Sequence, residues 1–245
     1  IVWLLAVAGA VVFGGAWAFI PAYLQAKRGS HVVITTIMFN FIASSLMIYL
    51  LVDVIRDTNQ MGPHTIAVAK ELWLPTFKEF GDLVGIKVRY SPLNLSFLLA
   101  IAASVFVWFL VWRTKWGYEM RAVGHNTQAA IYAGISPYKN IIIAMLISGG
   151  LAGLLSVNEI LGVHHKIVSG FPAGYGFTGI AVALMGRNHP IGIFPAAFLF
   201  GILYQGGSEV TFDMPNISRY MFVAVQGVII LFSGAFENLF RPQIE

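Results

Sequence analysis

The residues able to do chemistry in this chain are few and poorly arranged for covalent work. His164 and His165 are adjacent, so on a helix they point about 100° apart and make a poor pair of metal ligands. Ser30, Ser148, Ser169 and Ser208 lie near glycines, but none sits in a Gly-x-Ser-x-Gly elbow. Neither a phosphate-cradling P-loop string nor a His-Glu-x-x-His pair occurs. Cysteine is absent, which removes disulfides and thiolate chemistry. What remains is a sparse set of polar side chains within or at the edges of apolar stretches: Asn40, Asn158, Glu159, Gln205, Glu209 and Gln226. Such groups either hydrogen-bond between helices or line a polar path through them, and both readings stay open. Glu159 is the least comfortable of them if truly submerged.

The elements that carry these residues are long apolar blocks. Apolar residues make up 58% of the 245 and charged residues 11%, against about 25% charged in a soluble domain; the mean hydropathy is +0.76. So few charges cannot coat a water-soluble surface. Seven blocks stand out, at about 1–22, 31–52, 92–112, 140–162, 176–186, 190–207 and 217–236. Roughly 20 apolar residues span a bilayer core as a helix, so the expected fold is all-α, a polytopic membrane bundle in one permease-type domain over 1–245. The first block is expected to end at Pro21. The block at 176–186 is short, about 16 Å as a helix, and is flanked by Gly170, Pro172, Gly174, Gly176, Gly186 and Pro190. It reads as a broken or re-entrant segment, either a packing element or part of a transport pathway. The chain opens inside an apolar block with no basic leader, which does not fit a signal peptide; further N-terminal spans are expected in a parent protein. Small residues at four-residue spacing, Gly149 with Gly153, Ser148 with Ala152 and Ala197 with Gly201, invite close helix packing.

Seven crossings put Lys27, Arg28, the 113–139 loop, Arg187 and the tail on one face, with eight Lys/Arg, against seven on the other. Five of those seven fall in the long polar segment 53–91. With that segment set aside as an extracytoplasmic excursion, the ratio of eight to two makes the first face, and the C-terminus, cytoplasmic. The formal charge of +4 therefore records membrane orientation and not nucleic-acid binding. Within the excursion, apolar spacing over 67–80 suits a short surface helix. The segment either caps the helix ends or docks an external partner.

The loop 113–139 holds four basic residues and one acid. Its 119–121 and 127–133 parts suit helices, with Gly124 and Gly134 as breaks and Asn126 as a cap before Thr127. A basic helical loop on the cytoplasmic face would suit docking by a soluble partner, though many such loops only connect spans.

Several strings together resemble the permease subunits of ABC importers of the ribose and branched-chain amino acid type, and most of all the simple-sugar and nucleoside permeases that work with basic-membrane-lipoprotein-type binding proteins. They are EMRAVGHNTQAAIYAGI (119–135), ITTIMFN (34–40), ISGGLAGL (147–154) and GVHHKIVSGFPAGYGFTGIAVALMGRNHPIG (162–192). The resemblance implies a non-catalytic subunit that binds no cofactor itself. It would pair with a second permease, as homo- or heterodimer, over ATPase subunits that use ATP and Mg, with an extracytoplasmic solute-binding protein on the other face of the cell membrane. It assigns ATPase coupling to Glu119, Arg121, Ala122, Gly124, Asn126, Ala129, Ala130 and Gly134. It assigns a solute pathway to Asn40, Asn158, Glu159, Gly174, Gly176 and Phe177. The solute would be a small polar molecule, a nucleoside or simple sugar. An ion-coupled secondary transporter or channel is the competing reading, disfavoured because the spans carry no set of ionisable residues to bind a coupling ion. A membrane-embedded enzyme would need a catalytic constellation that the sequence lacks.

Overall fold

The computed structural model describes residues 2–57, 62–78, 93–170, 174–213, 221–222, 224–229 and 231–232. They fall into two compact units, Ile1–Phe171 and Pro172–Glu245.

In the first unit, α1 (Val2–Arg28) runs straight through Pro21 and stops at Gly29, whose φ of +65° only glycine adopts without strain. The end expected at Pro21 is thus displaced. An interior proline removes one backbone bond without excluding the turns that follow, and Pro21 is itself buried. A short turn leads to α2 (Val32–Tyr49), which continues as a wide π turn over Leu50–Val54. Next come α3 (Ser96–Arg113), α4 (Lys115–His125), α5 (Thr127–Tyr132) and α6 (Pro137–Ser156), the last extended by a π segment over Val157–His164. The second unit holds α7 (Tyr175–Met185) and α8 (Pro190–Asp213). Among the described residues five stretches are long and apolar enough to cross a bilayer: Val2–Arg28, Val32–Val54, Ser96–Arg113, Pro137–His164 and Pro190–Phe212. The described parts of the block at 217–236 are helical; the rest of that block and the tail lie outside the described residues.

The main packing contact of the first unit sets α1 antiparallel against α6 with almost no side chain between them. A Cβ on Gly149 would stand 2.6 Å from the Gly14 carbonyl oxygen, and Cβ atoms on Gly14 and Gly153 would overlap the carbonyl oxygens of Gly149 and Ala10. Close backbone approach gains dispersion contact where lipid supplies no hydrophobic drive. Gly149 and Gly153 pack as their spacing suggests, and their partners are Ala10, Gly14 and Ala18. Lys27 caps the same contact from one end, with its ammonium 5.3 Å from the Tyr23 ring centroid and 5.8 Å from that of Tyr138. Lys27 and the 113–139 loop therefore share one end of the bundle, as the charge count requires. The outward faces are apolar: Phe13, Phe41, Val105 and Phe109 are exposed.

The helix expected over 67–80 forms only in part: residues 67–76 are irregular chain with one 3-10 turn at Lys70–Leu72, Phe77 and Lys78 are helical, and residues 79–80 lie outside the described set. Its backbone is spent elsewhere. Thr65 N–H donates to the Ile167 carbonyl (3.2 Å), Val68 N–H to that of His165 (2.8 Å) and Leu74 N–H to that of Leu161 (2.9 Å). The Trp73 ring stacks on His165 at 3.7 Å and 9°. Bonds formed across the chain compete successfully with a helix that Pro75 would interrupt. Among the described residues there are isolated bridges and no strands.

In the second unit, α7 turns back into α8 through Arg187 and Asn188, both at positive φ (54° and 52°). Gly186 and Gly192 meet where no Cβ would fit. Ala181, Val182, Ala196 and Phe200 form the apolar contact below.

Candidate functional site

Among the described residues three polar side chains are buried, Asn94, Asn140 and Glu159. They gather at the two ends of α6. Buried polar groups need partners, so these two places show where the fold has gathered its polar groups.

At the end toward the 113–139 loop, Thr114 starts α4: its hydroxyl accepts from Gly117 N–H at 3.2 Å and donates to the Leu110 carbonyl at 2.6 Å. Gly117 is buried where a Cβ would collide with the carbonyls of Leu110 and Val111, so α4 folds tightly back on α3. Asn126 caps α5, its Oδ1 accepting from Ala129 N–H at 3.0 Å. Gly134, at φ +77°, closes α5. Its N–H donates to Ile131 and that of Ile135 to Ala130, the double bond pattern of a Schellman end. Inward, Asn140 donates to Glu119 Oε2 (3.4 Å) and to the Ser136 carbonyl (3.0 Å). Lys115 Nζ stands 3.8 Å from Glu119 Oε1.

The eight residues to which the resemblance assigns coupling thus separate. Glu119 and the buried Ala130 face the bundle, and Ala122 is half-buried. Arg121, Gly124, Asn126, Ala129 and Gly134 are exposed. Gly124 does not break the helix; it lies inside α4, and the break falls at Asn126. A helical glycine costs about 1 kcal/mol, less than neighbouring turns supply. Tyr132, 92% exposed, and Ile131, exposed beside it, project from the same surface. The sequence reading passed over both, although an aromatic just before a helix-ending glycine in a polar loop was a visible signal.

At the opposite end, the π segment swings Glu159 inward. Asn158 donates to Glu159 Oε1 at 3.1 Å, and His164 Nε2 stands 3.5 Å from Glu159 Oε2. Asn158 Oδ1 accepts from Asn94 Nδ2 (3.2 Å) and from Ser96 Oγ (2.6 Å). Asn94 Oδ1 in turn accepts from the Ser96 N–H (2.9 Å) and also lies against the Ser96 hydroxyl, whose single hydrogen goes to one of the two amide oxygens. Gly162 gives Asn94 its room, since a Cβ there would stand 2.9 Å from the Asn94 Cγ. Asn94 and Ser96 were not singled out from sequence. The Asn-Leu-Ser string near the start of the apolar block at 92–112 carries no sign of a partner sixty residues away. π turns recur at functional positions because they re-aim side chains.

Asn40 is exposed midway along α2, and its side chain makes no hydrogen bond to the described residues. Gly174, at φ +81°, precedes α7; Gly176 has open space around it and Phe177 is exposed. These three belong to the second unit, and Pro172 lies outside the described residues. His164 and His165 diverge, one to Glu159 and one onto Trp73. No three His, Asp or Glu side chains among the described residues converge as metal ligands.

A family model described as "Branched-chain amino acid transport system / permease component" matches residues 1–234. The chain is 38% identical over 229 residues to the guanosine ABC transporter permease protein NupP of Bacillus subtilis, across 93% of this chain and 63% of that protein. It is 35% identical over 227 residues to the nucleoside ABC transporter permease protein NupB of Lactococcus lactis, across 88% and 59%. It is 32% identical over 228 residues to the glucose ABC transporter permease protein TsgB13 of Haloferax volcanii, across 91% and 58%. The chain spans less than two thirds of the length of each of these relatives. No solved structure matches it.

Proposed function

This chain belongs to the family of branched-chain amino acid transport system permease components, and from that premise we propose that it is the membrane-spanning subunit of an ABC importer for a small polar solute, a nucleoside or simple sugar. ATP is hydrolysed, with Mg, by a partner subunit. A second permease completes the pathway, and an extracytoplasmic binding protein delivers the solute. The 113–139 loop and the C-terminus are cytoplasmic in this reading, and the 53–91 segment is outside.

One observation carries it. The α4–α5 pair presents a capped, exposed surface outward while Glu119 ties it inward to the first turn of α6. Closure of an ATPase must be transmitted mechanically to rock the spans, and a free face joined to a braced root is what such transmission requires. Arg121, Gly124, Ala129 and Tyr132 meet the ATPase; Glu119 and Ala130 root the element, with Ala122 between; Asn126 and Gly134 hold its ends. In the first unit Asn40, Asn158 and Glu159 serve the solute; in the second unit, taken by itself, Gly174, Gly176 and Phe177 are assigned the same task.

The test is co-purification followed by uptake. Arg121→Glu is expected to remove the ATPase from the purified complex while the melting temperature of the chain itself stays unchanged. A second reading, an ion-coupled carrier, is favoured by a specific observation, the buried carboxylate of Glu159 beside His164. Uptake into vesicles that follows an ion gradient and ignores ATP would establish that reading instead.

A further inference from the structure

Between α3 and α6 lies a cavity of about 610 Å3, open on one side. That is within the usual range for small-molecule sites. Its walls are apolar, with Phe97, Leu151 and Leu155 among them, and its polar groups are Asn94, Ser96 and Asn158. No charged side chain among the described residues lines it.

The hydrogen-bond inventory of that polar end is short. Asn158 Oδ1 already accepts from Asn94 and Ser96, and one Nδ2 hydrogen goes to Glu159. A carboxamide nitrogen carries two hydrogens, so one is left. The Ser96 hydroxyl gives away its hydrogen and keeps lone pairs. Asn94 also keeps a second Nδ2 hydrogen, but it is only 3% exposed, whereas Ser96 and Asn158 are half-buried; among the described residues the accessible groups are therefore one donor, on Asn158, beside one acceptor, on Ser96. Glu159, 6% exposed, lies behind Asn158, its carboxylate held by Asn158 and beside His164. It fixes which way the Asn158 amide faces and adds no charge to the lining.

Three kinds of solute meet this wall differently. A zwitterion would bring an ammonium and a carboxylate to a place where the described residues supply no counter-charge. A polyhydroxyl ring would bury several hydroxyls against leucines for two bonds. A flat, uncharged heteroaromatic ring with a lactam edge matches the single donor and acceptor and lays its faces on Phe97 and the leucines.

Resting on the permease reading above, we propose that Ser96 and Asn158 are the specificity-determining pair of a site for such a ring, and that Glu159 is a positioning residue acting through Asn158. Ser96 accepts the ring N–H, Asn158 donates to the neighbouring ring carbonyl, and any sugar attached to the ring is left toward the open side.

The test uses the complete transporter, this chain with its partner subunits, in proteoliposomes. The probes are tritiated uridine, 3-methyluridine, D-glucose and L-leucine. Wild type is expected to favour uridine over 3-methyluridine, which lacks the ring N–H, by about tenfold in kcat/KM. Ser96→Ala should bring that ratio near one with kcat kept. Asn158→Ala should raise KM about tenfold for both nucleosides alike. Glu159→Ala should raise KM, and Glu159→Gln, which can still accept from Asn158, should restore it. Equal wild-type uptake of uridine and 3-methyluridine overturns the proposal without needing any variant to fold. So does ATP-driven uptake of glucose or leucine in preference to uridine; glucose leaves the permease reading standing, and leucine leaves its ATP-driven import standing while overturning its choice of solute. Uptake that ignores ATP overturns the permease reading itself.

Discussion

The two ends of α6 carry the same pair of residue types and bury opposite members of it. At the loop end Asn140 is buried and the Glu119 side chain is about a quarter exposed, with Lys115 beside it. At the excursion end the carboxylate of Glu159 is buried, and Asn158 lines a cavity. Eighteen residues separate the asparagines, about 27 Å along a helix, close to the ~30 Å thickness of a bilayer core. The difference teaches that residue type alone does not assign a role. A buried amide reaching outward to a wet carboxylate is a brace. A buried carboxylate turning an amide toward a cavity prepares a recognition group.

The most severe way to break the comparison is to sever what the two ends share. Gly153→Leu would drive a side chain into the Ala10 carbonyl on α1. Because backbone cannot yield as a side chain can, the cost is expected to exceed the usual 1–3 kcal/mol of overpacking. No monodisperse protein should survive size-exclusion chromatography in detergent; a normal elution profile would show that the α1–α6 contact does not hold the ends together.

Next in size is Asn140→Ala, which strips the brace of its buried member. It should cost about 2 kcal/mol in thermal or denaturant unfolding and leave the KM for solute unchanged. A KM shift as large as that of Asn158→Ala would erase the distinction between the ends. Gly162→Ala does the reverse. It crowds Asn94 and should raise KM a few-fold, while the ATPase still co-purifies. Asn126→Ala and Gly134→Ala each remove one end of α5, at about 1 kcal/mol apiece, and should weaken solute-stimulated ATP hydrolysis before they affect solute affinity. Smallest of all, Lys115→Ala should leave melting and ATPase binding within experimental error, because an exposed ion pair contributes little. A clear loss there would mean that Lys115 does more than screen Glu119.

Local features of this molecule were legible in the sequence, and distant pairings were not. The spans at 31–52, 92–112, 140–162 and 190–207 follow from their apolar runs. The Asn126 cap follows from its own neighbourhood, since the bond it makes is three residues long. The Gly149 and Gly153 face was readable as a packing face, but nothing in the string 147–154 says that Ala10, Gly14 and Ala18 would fill it. Asn158 stood out as polar within an apolar block, whereas Asn94 and Ser96 join it from more than sixty residues away. Three expectations failed for one reason, the third of them only over 67–76. Pro21, Gly124 and the apolar spacing of 67–80 were read as local rules, and each was overruled by bonds that neighbouring turns or another segment supplied.

The glycine crossing of α1 and α6 also sets how α6 can move. Carbonyls pressed against glycines leave no side-chain layer to slide on, so α6 is held there as a beam is held at its pivot. About 11 residues, roughly 16 Å, lie between that pivot and Asn140, and about 7 residues, roughly 10 Å, between it and Asn158. A push at Asn140 therefore tilts the far arm the opposite way through about two thirds of the distance. The loop end and the cavity end exchange displacement as a see-saw does, not as a piston.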